Sequence, residues 1–329
     1  MSDKPEKTVK PEKSDKPERS DKPGKSSEHP RLSVFKTYKL YVGGKFPRSE
    51  SGRVYEVTTA TSAAGAAGKS NWLANAPLSS RKDARDAVVA ARKAFGGWSG
   101  ATAYNRGQIL YRVAEMLEGR KDQFVREVAD AEGLSKSKAA AVVDAAVDRW
   151  VWYAGWTDKI AQVIGGANPV AGPYFNLSTP EPTGVVAVLA PQESSFLGLV
   201  SVIAPVIATG NTVIVVASEK SPLPALSLGE VLATSDLPGG VVNVLSGRTA
   251  EIATPLAAHQ DVNAIDLAGA DDDLAKELEI AAADNLKRVL RPQAVDYFRT
   301  PGTERLTAFL ETKTVWHPTG ALGASGSSY

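Results

Sequence analysis

The sequence predicts an α/β fold of the doubly wound type, in which helices cover both faces of a parallel β-sheet. Three observations support this prediction. Residues 184–190 form an unbroken apolar run, which is typical of a strand buried on both faces of a parallel sheet. Further short β-rich runs follow it, and segments with helical periodicity separate them. Strands and helices that alternate in this way form parallel sheets with helical crossovers.

Before this part, the sequence predicts a β-hairpin and then helices. Residues 38–42 and 53–57 are rich in β-forming side chains, and a glycine pair and a polar turn separate them, so we expect the two segments to pair. Apolar residues at helical spacing predict a helix over 81–95, which Gly96 and Gly97 would end.

Two further helices are expected in this region. Asn105 is a residue type that favours the N-cap position, and it predicts a helix whose inner face carries Ile109, Val113, Met116 and Leu117. Residues 137–162 predict the longest helix. Its aromatic side chains fall at helical spacing, so core or interface packing is favoured over a stacking site: Trp150, Trp152, Tyr153 and Trp156.

The α/β part follows a β-rich segment at residues 174–179. Pro222 stands where it can open a helix at its first turn. The predicted strands lie at 184–190, 212–217, 241–245 and 264–267, and the predicted helices lie at 196–209, 223–235, 250–259 and 271–285.

Composition places the chain among globular proteins, with 43% hydrophobic and 23% charged residues. The formal net charge of +1 gives no electrostatic reason to expect nucleic acid or an anionic membrane as a partner. No apolar run is long enough to span a bilayer, and the first residues lack a signal-peptide pattern, so we expect a cytoplasmic protein. With no cysteine and three scattered histidines, we expect no metal site.

Both ends of the chain are expected to lie outside the fold. Residues 1–30 repeat a Lys-Pro-Glu unit and contain almost no apolar side chains, which predicts a disordered tail of mixed charge. We also expect a flexible tail over residues 319–329.

Several motifs, in order along the chain, resemble the aldehyde dehydrogenase superfamily. Those similar to its cofactor domain are PTGVV at 182–186, ATGNTV at 208–213, Ser218-Glu219 and LPGGVVNV at 237–244. NLKRV at 285–289 resembles the stretch before the family's general base, and FLETKTVW at 309–316 resembles its C-terminal oligomerisation strand. The resemblance covers about residues 32–291 and 303–318, and YVGG at 41–44 and Asn105-Arg106 fit the family's N-terminal region.

The resemblance implies a domain organisation. Residues 31–294 would form the Rossmann-like cofactor-domain fold with N-terminal helices, and 174–181 would belong to a small β oligomerisation element within it. Residues 295–302 would be a connector in place of the catalytic domain, and 303–318 would be the oligomerisation strand. The chain is similar in this respect to the second, cysteine-less module of double-length family members.

The resemblance also implies that the catalytic positions are vacated. Family members use a cysteine thiolate as nucleophile, a glutamate as base and an asparagine as oxyanion donor. This chain has no cysteine, Pro292 stands at the position of the glutamate, and Glu193 stands at that of the asparagine. We therefore expect no catalytic residues.

The cofactor site is expected to be degenerate as well. Val216 replaces the family's lysine, Ala270 replaces a serine, and Asp271 begins an acidic run at a helix N-terminus where phosphate would lie. Glu219 is retained, and the same degenerate site includes Gly247 and Gly269. We expect no cofactor, or NAD or NADP if there is one.

Three hypotheses about function remain open. The leading one is a non-catalytic structural or regulatory subunit, forming a homo-oligomer or a hetero-oligomer with a full-length aldehyde dehydrogenase. The second is an NAD(P)-dependent aldehyde oxidoreductase component that shares an active site with a partner chain. The third is a small-molecule-binding protein that uses the old cofactor cleft.

Overall fold

The computed structural model describes Met1, residues 34–60 and residues 71–320. The predicted N-terminal tail, apart from Met1, and residues 321–329 of the predicted C-terminal tail lie outside the described residues. The chain divides into residues 1–35, of which Met1, Val34 and Phe35 are described and exposed, and residues 36–329, which contain all the elements below.

The first half of the fold is mostly helical. Its elements are β1 (Val54–Thr58), β2 (Trp72–Pro77), α1 (Arg81–Ser99), α2 (Ala103–Glu118), α3 (Lys121–Glu132), α4 (Lys136–Ala154), α5 (Ile160–Ile164), β3 (Gly166–Asn168) and β4 (Tyr174–Pro182). The second half alternates between strand and helix. Its elements are β5 (Val185–Leu189), α6 (Leu197–Ala208), β6 (Thr212–Val216), α7 (Leu223–Ala233), β7 (Val242–Leu245), α8 (Thr249–Ala258), β8 (Ala264–Asp266), α9 (Asp272–Ala283), β9 (Arg288–Leu290), α10 (Glu304–Thr307) and β10 (Leu310–Pro318).

The predicted doubly wound sheet is confirmed. Five parallel strands lie in the order β7-β6-β5-β8-β9. The chain runs outward from β5 to β7 and then crosses to β8, so the direction of winding reverses between β5 and β8. All five residues of β5 are buried, in agreement with their unbroken apolar sequence.

Two apolar layers cover this sheet. One layer joins α2, α3, α4, α6 and α7 to one sheet face, to which β5 contributes Val186 and Val188. The other joins α1, α8 and α9 to the opposite face, to which β5 contributes Val185, Ala187 and Leu189. Helix α6 is buried at every position because it lies between the sheet and α4.

A second sheet of three antiparallel strands has the order β10-β4-β3. Strand β10 pairs with β4 along its whole length, from Leu310 opposite Pro182 to Pro318 opposite Tyr174. Both predicted strand segments are therefore present, and they pair within one chain.

The predicted N-terminal hairpin is wrong. Strand β1 pairs with β2, and the 38–42 segment instead bridges to β7, where Tyr41 and Val244 exchange two backbone hydrogen bonds of 3.1 and 2.7 Å. No local sequence pattern indicates that the 38–42 segment pairs with a strand so far away in the sequence. The glycine pair after it, in contrast, is a local signal for a turn, and it therefore predicted a hairpin.

Three helix boundaries also differ from prediction. Helix α1 continues through Gly96 and Gly97 to Ser99, because Trp98 is buried and its indole donates to the Ile207 carbonyl. The N-cap of α2 is Thr102, whose hydroxyl accepts from the Asn105 N–H, and Asn105 lies inside the helix. The predicted helix 137–162 divides into α4 and α5, because the chain turns at 155–159.

The aromatic side chains of α4 and of the turn that follows it pack in the core, as predicted. Trp150 and Tyr153 are buried, and Trp152 and Trp156 are partly buried against them.

Candidate functional site at the carboxyl edge of the parallel sheet

The carboxyl ends of the parallel strands meet at one edge of the sheet, which is where α/β folds usually bind ligands. A cleft of about 820 Å³ opens there. Its lining includes Glu193 and Glu219 of the sequence-predicted positions, but it does not include Val216, Gly247, Gly269, Ala270, Asp271 or Pro292. The structure therefore brings only part of the predicted set together.

Glu219 follows β6, and both of its carboxylate oxygens are engaged. Oε1 accepts from the Arg248 guanidinium at 2.6 Å, and Oε2 accepts from the Thr249 N–H at 2.9 Å, in the first turn of α8. Arg248 in turn lies over the ring of Tyr55, 5.7 Å from its centroid. The carboxylate thus caps a helix and holds an arginine, which leaves neither oxygen unoccupied.

Gln192 ties the loop after β5 to the loop after β6. Its side-chain carbonyl accepts from the Glu219 N–H at 2.9 Å, and its main-chain carbonyl accepts from the Ser218 hydroxyl at 2.9 Å. These bonds fix the spacing of the two loops and hold Glu219 at the cleft.

Glu193 lies at the rim of the cleft and points to solvent. Its side chain is 83% exposed and forms an ion pair of 2.6 Å with Lys220. Pro292 is partly buried and lies two residues beyond the end of β9. A proline side chain has no group that could take up a proton.

The turn after β8 is built around glycine and an aspartate cap. A Cβ on Gly269 would lie 1.9 Å from the Ala190 carbonyl oxygen, so only glycine fits between the ends of β8 and β5. Asp271 is the N-cap of α9, and its carboxylate accepts from the Leu274 N–H at 2.9 Å. The first residue of this acidic run therefore caps the helix.

The two remaining positions are structural. Val216 is fully buried at the end of β6, in the apolar layer that contains α1 and α8. Gly247 has a φ of +145°, and its Cβ would lie 3.1 Å from the Ile252 side chain, so the turn after β7 favours glycine.

Sequence reasoning missed Glu132, which closes the floor of the cleft. This last residue of α3 accepts from the Ser195 hydroxyl at 2.8 Å and from the Phe196 N–H at 3.3 Å, at the N-terminus of α6. Burial raises the pKa of Glu132 above its ordinary value, although these hydrogen bonds oppose the shift.

The charge of the cleft is predominantly acidic. Among the described residues, its lining carries four carboxylates, from Glu56, Glu132, Glu193 and Glu219, and two cations, from Lys220 and Arg248. Such a surface repels phosphate groups and favours cations.

Sequence reasoning also missed a buried ion pair that lies outside the lining of the cleft. Asp266, in β8, is fully buried and pairs with Arg305 of α10. Burial raises the pKa of Asp266, and Arg305 opposes this rise. The signal was a lone aspartate within an apolar strand, but nothing local identified its partner.

Neither a metal centre nor a membrane span is found in the part of the chain that the structure describes. No group of three or more histidine, aspartate or glutamate side chains there is arranged to hold a metal ion. None of the helices in that part is both long and apolar enough to cross a bilayer.

Comparison with known proteins identifies the family. The aldehyde dehydrogenase family model matches residues 59–291. Retinal dehydrogenase 2 of Gallus gallus is 33% identical over 262 residues, which are 77% of this chain and 48% of that protein. The chain thus spans about half the length of this relative and of several others that it matches.

Solved structures agree. HpcC of Thermus thermophilus has a TM-score of 0.72 at 28% identity, with 77% of this chain and 47% of that chain covered. An aldehyde dehydrogenase of Bacillus cereus in complex with NAD+ has a TM-score of 0.70 at 25% identity, with 77% and 50% covered. With the family model, this sequence identity and these shared folds in agreement, the chain belongs to the aldehyde dehydrogenase family.

Proposed function

We propose that this chain is a non-catalytic member of the aldehyde dehydrogenase family, a structural or regulatory subunit that associates with a full-length aldehyde dehydrogenase. The observation that carries the proposal is the hydrogen bonding of the polar groups at the carboxyl edge of the parallel sheet. Among the residues described there, Glu219, Gln192 and Glu132 are already engaged in hydrogen bonds to neighbouring loops and to the first turns of α6 and α8.

The missing chemistry supports the first part of the proposal. Aldehyde oxidation through a thioester needs a nucleophile, a base and a donor to the oxyanion. The chain has no thiol, Pro292 cannot act as a base, and the solvated carboxylate of Glu193 would repel an oxyanion.

The cofactor residues do not fit NAD or NADP, the cofactor to be expected in this family. Glu219 is already bonded to Arg248 and to α8, and Asp271 occupies the N-terminal turn of α9 with a carboxylate. A pyrophosphate near this helix would face like charge, and the cleft carries more carboxylates than cations. We therefore propose that the chain holds neither cofactor tightly.

The small sheet supports the second part, which concerns association. Strand β10 is at the edge of this sheet, and Trp316, Tyr174 and Phe175 expose 56%, 38% and 46% of their surface there. Exposed aromatic side chains beside a strand edge are typical of a surface that receives another chain.

Two measurements test the proposal separately. The purified chain should show no aldehyde-dependent reduction of NAD or NADP, and a pull-down from its native host should recover a full-length aldehyde dehydrogenase. Turnover that survives repurification and changes with the E219Q variant would refute the non-catalytic part. A monomer by light scattering that recovers no dehydrogenase would refute the association.

A second candidate is suggested by the volume and charge of the cleft. At about 820 Å³, with four carboxylates in its lining, it could hold a small cationic molecule. Saturable binding of spermidine that is lost in the E132Q and E193Q double variant would favour this candidate.

A further inference from the structure

A second cavity lies away from the carboxyl-edge cleft, under the connector between β9 and α10. Its volume is about 460 Å³, which is in the range of small-molecule sites. Arg149 and Tyr153 of α4, Ser201 of α6, Val295 and Tyr297 of the connector, and Arg305 of α10 are among the residues that line it.

The central polar group of this cavity is the Arg149 guanidinium. Arg149 is 7% exposed, and its Nη2 donates to the main-chain carbonyls of Tyr297 at 2.5 Å and Arg299 at 3.0 Å. Within residues 34–60 and 71–320, no carboxylate forms an ion pair with it, whereas Arg305 in the same cavity is paired with Asp266. Arg149 is thus a buried cation that only neutral groups satisfy.

A buried cation without a counter-ion is costly, and burial lowers the pKa of Arg149 below its ordinary value. An anion in the cavity would recover part of this cost. The Tyr153 hydroxyl, beside the guanidinium, is a second donor: burial raises the pKa of Tyr153 to about 12, so it stays protonated near neutral pH.

The other charges around the cavity largely cancel. Arg305 is neutralised by Asp266, and Arg299 lies 3.7 Å from Asp296 at the surface. Glu304 is an exposed carboxylate in the cavity wall, and the structure shows no ion pair for it among the residues described. It would therefore compete with an external anion for Arg149.

We propose that this cavity binds a small organic carboxylate. Because Nη2 already donates to two carbonyls, a bound carboxylate would accept from the remaining guanidinium N–H groups and from the Tyr153 hydroxyl. The Val295 and Tyr297 side chains give the cavity an apolar wall that an inorganic anion would not use. The connector is then a wall of a binding site as well as a link between β9 and α10.

The test uses the full chain and 4-fluorobenzoate, observed by ¹⁹F NMR at constant ionic strength. We expect saturable line broadening that 4-fluorobenzylamine, of similar shape but opposite charge, does not give. Because charge-assisted hydrogen bonds are lost, R149M should weaken binding about tenfold or more. E304Q should tighten it, and E193Q, in the carboxyl-edge cleft, should leave it unchanged.

Three outcomes would overturn the proposal. The first is no saturable binding of 4-fluorobenzoate by the unmodified chain. The second is equal binding by R149M or, should circular dichroism show that R149M is unfolded, by R149Q. The third is complete displacement by equimolar inorganic phosphate, which would mark a site for inorganic anions.

Discussion

Asp266 and Arg305 form an ion pair that joins the middle of the parallel sheet to the C-terminal segment. The carboxylate is fully buried, and the arginine side chain is 17% exposed. The Phe309 carbonyl, four residues further on, accepts from the buried amide of Asn211 at 2.9 Å. The C-terminal segment is therefore part of the core of this chain, as well as a candidate surface for association.

Removing the arginine should destabilise the protein strongly. R305M leaves a buried carboxylate without its partner, and we expect a loss of about 3–5 kcal/mol in the free energy of unfolding. Urea denaturation measures this loss. R299M, at an arginine whose side chain is 85% exposed, is the matched control and should change stability little.

The R305M loss should also depend on pH. With Arg305 gone, only the hydrogen bond from the Ala268 N–H still opposes the effect of burial, so the pKa of Asp266 rises further above its ordinary value of 3.8. The protonated Asp266 carboxyl contributes fully to the free energy of unfolding below pH 3.8, its ordinary pKa. This contribution is lost as the pH rises through the raised pKa of the folded chain. The difference from the unmodified chain should be smallest in acid and largest at neutral pH, and a pH-independent difference would contradict this account.

NAD and NADP should bind weakly or not at all. Calorimetry on the unmodified chain should give no micromolar affinity. A variant that combines A270S with D271N, D272N and D273N should recover some affinity, because it removes like charge from the N-terminus of α9. Val216→Lys, which would complete the family pattern, places an ammonium at a fully buried position and should lower stability. Micromolar binding by the unmodified chain would refute the degenerate-site interpretation.

Association should depend on the aromatic surface of β10. W316S removes the indole that contacts the Tyr174 ring edge-on at a centroid distance of 5.8 Å, and it should weaken association without unfolding the chain. Light scattering and the native pull-down measure this effect. F298S, on the exposed connector, is the control. Truncation after Thr303 is a poorer test, because it removes Arg305 and the buried Phe309 and should unfold the protein.

Lys287 should make stability rise in alkaline solution. Burial lowers the pKa of Lys287 to about 8, from an ordinary value of 10.5. Between these values the unfolded chain binds a proton that the folded chain does not, so the free energy of unfolding increases with pH across this window. K287M should lack this contribution, whereas K276M, at an exposed position of α9, should retain it. Parallel pH profiles for the unmodified chain and K287M would exclude the effect.

The parallel sheet could be predicted because burial on both faces leaves a local mark in the sequence. The apolar runs of β5 and β6 are such marks, and the helices between them have regular periodicity. Helix α3 carried a comparable signal in Phe124, Val125 and Val128, which sequence reasoning passed over.

The other features of the fold and the site depend on contacts between residues that are far apart in the sequence, and no local sequence pattern indicates such contacts. Tyr41 pairs with Val244, Glu132 contacts Ser195, and Arg305 reaches Asp266 across 39 positions. At the candidate site, the family resemblance predicted which positions differ from the family's functional residues. Only the fold shows that Glu219 is engaged by Arg248 and by α8.

The bridge between the 38–42 segment and β7 affects how the chain folds during its synthesis. Gly43 donates to the side chain of Asn243, 200 residues further on, next to the Tyr41–Val244 bridge. During synthesis, this N-terminal segment emerges early and stays without its partner until β7 has been translated. Until then its backbone groups are open to other chains, and afterwards the same segment covers part of the outer edge of β7 against such pairing.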